Sequence, residues 1–197
     1  METQIPVHIR WMIRRDMPEV LATEAESFEF PWLEEDFIRS LQQRNCIGMV
    51  AVITTGTGGK NWLDTEESIE RCTGFMIFEL HKAHIHVLNF AVAEDYRRRG
   101  VGSQMIAKLA AKLSAQRRSR IVLEVCETNL AAQVFFRENG FRAVSVLRSY
   151  YAATLEDACL MQYRYRPERQ PTVQPTSPKK RQRQTAAALG AEPSGNF

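Results

Sequence analysis

Cysteine is sparse in this chain of 197 residues. Cys46, Cys72, Cys126 and Cys159 stand far apart, with no CxxC pair among them. That spacing offers neither a zinc ribbon nor a dithiol redox motif, and buried reduced thiols are expected. Long apolar runs are missing too. No stretch approaches the roughly 20 residues of a membrane span, and the opening METQIPVHIRWM lacks a secretory core, so a cytoplasmic protein with no membrane partner is expected. Charge of one sign is absent from the body. Of 26 basic and 23 acidic residues, five basic and two acidic ones lie in residues 167–197, so the net charge of +3 belongs to the tail. A neutral body speaks against a general nucleic-acid binder. The tail also holds five of the eight prolines and no apolar periodicity, a composition that cannot bury a core. The expected organisation is therefore one folded domain over 1–166 and a disordered basic tail over 167–197. Within the tail, Lys179-Lys180-Arg181-Gln182-Arg183 is the one run suited to nucleic acid or to a nuclear-type signal. A solvated tail is the preferred reading.

What is present centres on residues 84–109, HIHVLNFAVAEDYRRRGVGSQMIAKL. In period two, His84, His86, Leu88, Phe90 and Val92 share one strand face, and Ile85, Val87 and Ala91 the other. After Gly102 the period becomes helical through Met105, Ile106, Leu109 and Leu113. Between them stands Arg97-Arg98-Arg99-Gly100-Val101-Gly102. Glycines permit a tight turn and close approach to a ligand, and the following helix aims unpaired N–H groups and its positive dipole end at the turn. A glycine pair alone fits a solvated surface turn equally well. The order strand, arginines, helix favours an anion site for a phosphate-rich ligand. The third glycine of a dinucleotide G-x-G-x-x-G is replaced by Met105, and no Gly-Lys-Ser/Thr follows, so neither a Rossmann fingerprint nor a P-loop is present.

Along the rest of the chain, the pattern predicts a strand at Val7–Met12. A helix follows, capped by Asp16 with Pro18 in its first turn. Phe30-Pro31-Trp32 breaks it, and a second helix covers Leu33–Leu41. Strands are expected at Ile47–Thr54, Cys72–Leu80 and Ala83–Val92, with a glycine-rich turn at 55–60 and a polar insertion at 61–71 between the first two. A helix from Ser103 to about Gln116 precedes a strand at Arg120–Cys126. Asn129 caps a helix over Leu130–Glu138 that Gly140 ends. Strands at Phe141–Leu147 and Ala158–Tyr165 close the chain.

Arg97-x-x-Gly100-x-Gly102 resembles motif A of the GNAT acyltransferases, which holds the acetyl-CoA pyrophosphate, and the element order is similar to the GNAT fold over 7–165. LEVCETNLAAQVFFRENGF at 123–141 resembles the corresponding segment of RimI-type ribosomal-protein N-alpha-acetyltransferases. So do NFAVAEDYRRRGVG at 89–102, Phe30-Pro31-Trp32, Arg148-x-Tyr150-Tyr151 and Glu156-Asp157-Ala158. The resemblance implies an α/β (α+β) fold whose mixed, mostly antiparallel sheet is flanked by helices and splays to take the pantetheine arm. Its co-substrate would be acetyl-CoA, and its partner a protein N-terminus, ribosomal protein S18 foremost.

Glu124 is an acid inside an apolar strand. Burial there is costly for a carboxylate without a partner, and such an acid suits a general base; an edge-facing or salt-bridged glutamate fits the pattern equally. The resemblance selects the base. It also implies that Phe90, Ala91 and Val92 bind acetyl-CoA through backbone groups, that Arg97, Arg98, Arg99, Gly100, Val101, Gly102 and Ser103 cradle the pyrophosphate, and that Asn129 contacts the arm. Phe136 stands in the cofactor-side position where the family has a proton-donating tyrosine, so Tyr150 or Tyr151 is the candidate donor, with solvent as the other. Trp32, Tyr150 and Tyr151 are the implied substrate-binding residues. Cys126 shares the Glu124 face, as a buried thiol. No cysteine or carboxylate completes a recognisable ligand set with His81, His84 and His86, so no metal is expected. Rival functions are a GNAT acting on a small-molecule amine or lysine side chain, and a non-catalytic acetyl-CoA-binding module.

Overall fold

A computed structural model describes residues 4–55, 69–114 and 116–165. The 167–197 tail, the glycine-rich turn and most of the 61–71 insertion lie outside the described residues. Strands run at β1 His8–Trp11, β2 Cys46–Thr55, β3 Ile69–Leu80, β4 His84–Val92, β5 Arg120–Cys126, β6 Arg142–Leu147 and β7 Ala158–Arg164. Helices are α1 Met17–Ser27, α2 Glu34–Leu41, α3 Val101–Ala110 and α4 Leu130–Glu138. The strands form one sheet in the order β1-β2-β3-β4-β5-β7-β6. Only the β4–β5 pair is parallel, as expected when a helical crossover joins them.

Apolar periodicity explains the two layers. α3 sends Val101, Met105, Ile106 and Leu109 onto one sheet face, where α4 adds Phe136. α1 and α2 bury Met17, Val20 and Phe37 on the other. No helix among the described residues is long and apolar enough to cross a membrane.

Four expectations are corrected. First, the period of β4 does not run unbroken. Phe78 pairs with Val87 and Ile77 with Asn89, which leaves Leu88 as an extra residue. This bulge moves every later side chain to the opposite face. Ile85, Val87, Phe90 and Val92 therefore pack on the α3 side, and Leu88 and Ala91 on the α1 side. Second, Asp16 stands at the N-cap position of α1, but its side chain makes no capping hydrogen bond there. Its carboxylate accepts from the Ile13 N–H at 2.8 Å and from both terminal nitrogens of Arg10 at 2.7 and 2.8 Å. Third, α3 stops at Ala110, because short bonds from Lys112 to Leu109 and from Leu113 to Ala110 turn the chain toward β5. Fourth, all four thiols are free but only Cys46 is buried. Elsewhere local signals suffice. Asn129 Oδ1 accepts from the Ala132 N–H at 3.0 Å, and Gly140 takes the left-handed φ of +89° that follows a helix end.

Candidate active site

β4 and β5 pair only at His84–His86 against Arg120–Val122, although both strands continue. The resulting split opens a cleft of about 510 Å³. Leu88–Phe90 and Glu124–Cys126 form its strand walls, the Phe28–Trp32 connection one rim, and Tyr151–Thr154 the other. Among the described residues, Glu24, Glu29, Glu124 and Glu156 line it and no lysine, arginine or histidine does.

Glu124 reaches the cleft from the half-buried face of β5, opposite buried Ile121, Leu123 and Val125, and is 15% exposed. Its Oε2 lies 2.7 Å from His86 Nε2. The side chain is therefore paired, and the sequence pattern could not show this across 38 positions. The hydrogen bond to Glu124 holds the His86 imidazole above its ordinary value despite burial. Period two in β4 and β5, together with their parallel register of His86 against Val122, puts the two side chains on one face.

Glu24 is a further cleft residue that sequence reasoning missed. It is 1% exposed, accepts the Trp32 N–H at 2.8 Å, and takes two hydrogen bonds from Asn89 Nδ2 at 3.0 Å. Burial pushes its carboxyl up, while the Trp32 and Asn89 donors pull the other way. The network ties the Phe30-Pro31-Trp32 rim to β4. Trp32 packs edge-on against Phe37, with centroids 5.3 Å apart, and borders the cleft.

The two tyrosines separate. Tyr151 lines the cleft, whereas Tyr150 is 46% exposed outside it and stacks edge-on at 5.1 Å. Burial, with Cys126, Tyr150, Glu124 and Glu156 nearby, pushes the Tyr151 hydroxyl up to about 12. Asp157 closes the loop that carries both, accepting from Arg148 and from the Ser149 N–H. Cys126 borders the cleft partly exposed, its Sγ 3.1 Å from Thr128 Oγ1; it is not the buried thiol expected.

Past the cleft, the glycine turn is left-handed at Arg98 and Gly100, with φ of +62° and +75°. The first helical bond of α3 is from the Gln104 N–H to the Gly100 carbonyl at 3.1 Å. The N–H groups of Val101, Gly102 and Ser103 thus precede the helical ladder, which suits an anion. Arg98 and Arg99 are exposed beside them. Arg97 is not part of that cradle. Its guanidinium turns back to the Val92 carbonyl and Ser27 Oγ, both at 2.9 Å. A Cβ at Gly102 would sit 2.8 Å from the Phe135 ring, so its small size also serves helix packing.

Phe90, Asn129 and Phe136 border the cleft, while Ala91 is 4% exposed in the core. The Asn129 side chain is engaged as the α4 cap. Phe136 is 7% exposed and meets Phe90, Phe135 and Phe141 edge-on or tilted at 5.0–5.8 Å. That apolar cluster gives it no proton to move. A carboxylate does stand beside the histidines: Glu79 lies with His81 and His86, one possible ligand atom from each within 4.8 Å of the others.

Residues 17–141 match the model of the acetyltransferase (GNAT) family. The chain belongs to that family. As a GNAT protein it is an acetyl-CoA-dependent N-acetyltransferase. It is 27% identical over 149 residues to the ribosomal protein bS18-alanine N-acetyltransferase of Salmonella typhimurium, covering 74% of this chain and 89% of that one. The crystal structure of the ribosomal-protein-S18-alanine N-acetyltransferase from Escherichia coli superposes with a TM-score of 0.64 at 24% identity. That match spans 84% of this GNAT chain and 99% of the other. Arabidopsis thaliana NAA60, solved in complex with acetyl-CoA, gives a TM-score of 0.65 at 18% identity over 81% of this chain and all of its own. The last two likenesses speak to the fold.

Proposed function

We propose that this GNAT enzyme acetylates the free alpha-amine of a protein N-terminus, with ribosomal protein S18 as the favoured acceptor and Glu124 as general base. The observation that carries the reading is Glu124 itself, held by His86 at 2.7 Å in a cleft that, among the described residues, is lined by four carboxylates and no basic side chain. Such walls favour a cationic amine over an acidic acceptor. The likeness to the Salmonella bS18-alanine N-acetyltransferase supports the acceptor.

The residues present fit acetyl-CoA. The leading amides of α3 with Arg98 and Arg99 suit its pyrophosphate, and the split between β4 and β5 suits an extended arm lying beside Phe90. The bound thioester supplies an activated acetyl group. Glu124 takes a proton from the incoming ammonium, directly or through water, while His86 fixes the carboxylate orientation. A backbone N–H at Phe90–Val92 polarises the carbonyl. Tyr151, protonated at neutral pH and bordering the cleft, donates to the departing thiolate in the role Phe136 cannot fill, and regains a proton from the nitrogen as the amide forms. Trp32 and Tyr151 flank the acceptor. No covalent enzyme intermediate is formed; amine attack occurs directly.

The test is CoA release from acetyl-CoA with a panel of peptides, comparing wild type with Glu124→Gln. Turnover on free-alpha-amine peptides beginning with the S18 sequence, reduced about 10²–10⁴-fold in the variant, is expected. Turnover confined to small amines or internal lysines would remove the N-terminal acceptor. Acetyl-CoA binding with no turnover on any acceptor would leave a binding module, consistent with Phe136.

A further inference from the structure

The β3–β4 hairpin carries a side-chain cluster that acyl transfer does not use. Glu79 and His86 lie directly opposite each other in register. The turn then bends back, with the His81 N–H bonding the His84 carbonyl at 3.0 Å. This returns His81 over Glu79, its Nε2 2.8 Å from Oε2, and stacks it on His84 at 4.6 Å. One ligand atom from each of Glu79, His81 and His86 lies within 4.8 Å of the others. The three side chains are 17%, 37% and 24% exposed, so they are partly sheltered yet open to an entering ion.

Two imidazoles and a carboxylate are the donor set of open zinc sites, which keep a water in the fourth position. Calcium and magnesium prefer oxygen ligands. Bonds of about 2.0–2.1 Å place tetrahedral ligand atoms roughly 3.3 Å apart, so closing the cluster needs side-chain rotation on a backbone already in register. His86 adds an independent feature. Its Nε2 is engaged by the Glu124 carboxylate at 2.7 Å, leaving Nδ1 for a metal. A carboxylate on the second ring nitrogen is what metal-bound histidines usually have. We propose that Glu79, His81 and His86 bind one zinc-type divalent ion, with solvent as the fourth ligand and Glu124 as the outer carboxylate on His86. The ion pins the hairpin turn to β4 and fixes the His86 ring.

The experiment is a zinc titration of the chelator-stripped full chain against a chromophoric competitor. Wild type is compared with Glu79→Gln and His81→Asn, and with Cys72→Ser and Cys126→Ser as thiol controls. One equivalent should bind, with affinity lowered at least about tenfold by each of the first two substitutions and unchanged by the cysteine ones. X-ray absorption of the zinc-loaded wild type, independent of any variant's folding, should show nitrogen and oxygen ligands with histidine scattering. No binding below about 0.1 mM, binding indifferent to Glu79 and His81, or sulfur in the coordination shell would each overturn the site. Acetyl transfer enters neither readout, so its failure leaves this test intact.

Discussion

Tyr150 and Tyr151 are adjacent in sequence, yet their surroundings give them different chemistry. Only Tyr151 borders the cleft, and its hydroxyl near 12 keeps its proton across the accessible pH range. Tyr151→Phe should therefore lower kcat by about 10²–10⁴-fold, while Tyr150→Phe changes mainly the peptide KM. Steady-state kinetics on both variants check the ranking; a larger kcat loss in Tyr150→Phe would move the donor role to that residue. Burial places the loss of that proton above pH 10, so an alkaline limb that persists unchanged in Tyr151→Phe would belong to another group.

Between elements, α3 and α4 approach at Gly102. Its missing Cβ makes room for Phe135, whose ring is itself held at 5.0 Å by Phe136 and 5.9 Å by Phe90. The ring has little freedom to retreat, so Gly102→Ala should destabilise by about 1–3 kcal/mol through overpacking. Gly100→Ala meets only the flexible Gln4 side chain but inherits a φ of +75°, a conformational cost of about 1 kcal/mol. Urea denaturation measures both, and an unaltered Gly102→Ala midpoint would show that the aromatic cluster repacks freely. The bulge at Leu88 works at the same level. It turns Phe90 toward α4 and Asn89 toward Glu24, so one extra residue sets what β4 presents on each face of the sheet.

Across the whole molecule, Arg10 on β1 joins the turn before α1 to the start of β3 through Asp16 at 2.7 Å and Glu70 at 2.9 Å. Burial opposes the Asp16 charge, but the Arg10 and Ile13 hydrogen bonds win and hold its carboxyl below 3.8. A depressed acid stabilises the fold above its unfolded value and loses that contribution as pH falls through the folded value. Arg10→Ala should cost about 3 kcal/mol at pH 7, and the gap to wild type should narrow below about pH 4. Denaturation at pH 3, 5 and 7 provides the check; a gap independent of pH would mean that Asp16 is not the coupled group. Acetyl-CoA should raise the melting temperature of the intact chain, by an amount set by concentration over Kd, and Arg98→Ala with Arg99→Ala should reduce that shift. A wild-type melt indifferent to the ligand would oppose the proposed cradle.

Short-range chemistry made much of the chain readable in advance. β5 and α4 have the bounds predicted for them, because alternation in Ile121–Val125, the Asn129 cap and the Gly140 stop all act within a few residues. The glycine turn and the start of the helix after it were legible for the same reason, as was the order of elements along the chain. Tertiary structure decided what depends on distant partners. Asp16 satisfies its carboxylate with Arg10 and the Ile13 N–H rather than capping α1. Leu88 bulges when Asn89 pairs with Ile77. Glu24 meets Asn89 across 65 positions, and Glu124 meets His86 across 38. Hydrophobic period and capping specify which segments become strands and helices; the pairing of strands specifies which acids, imidazoles and rings share a face, and here that pairing assembles the cleft.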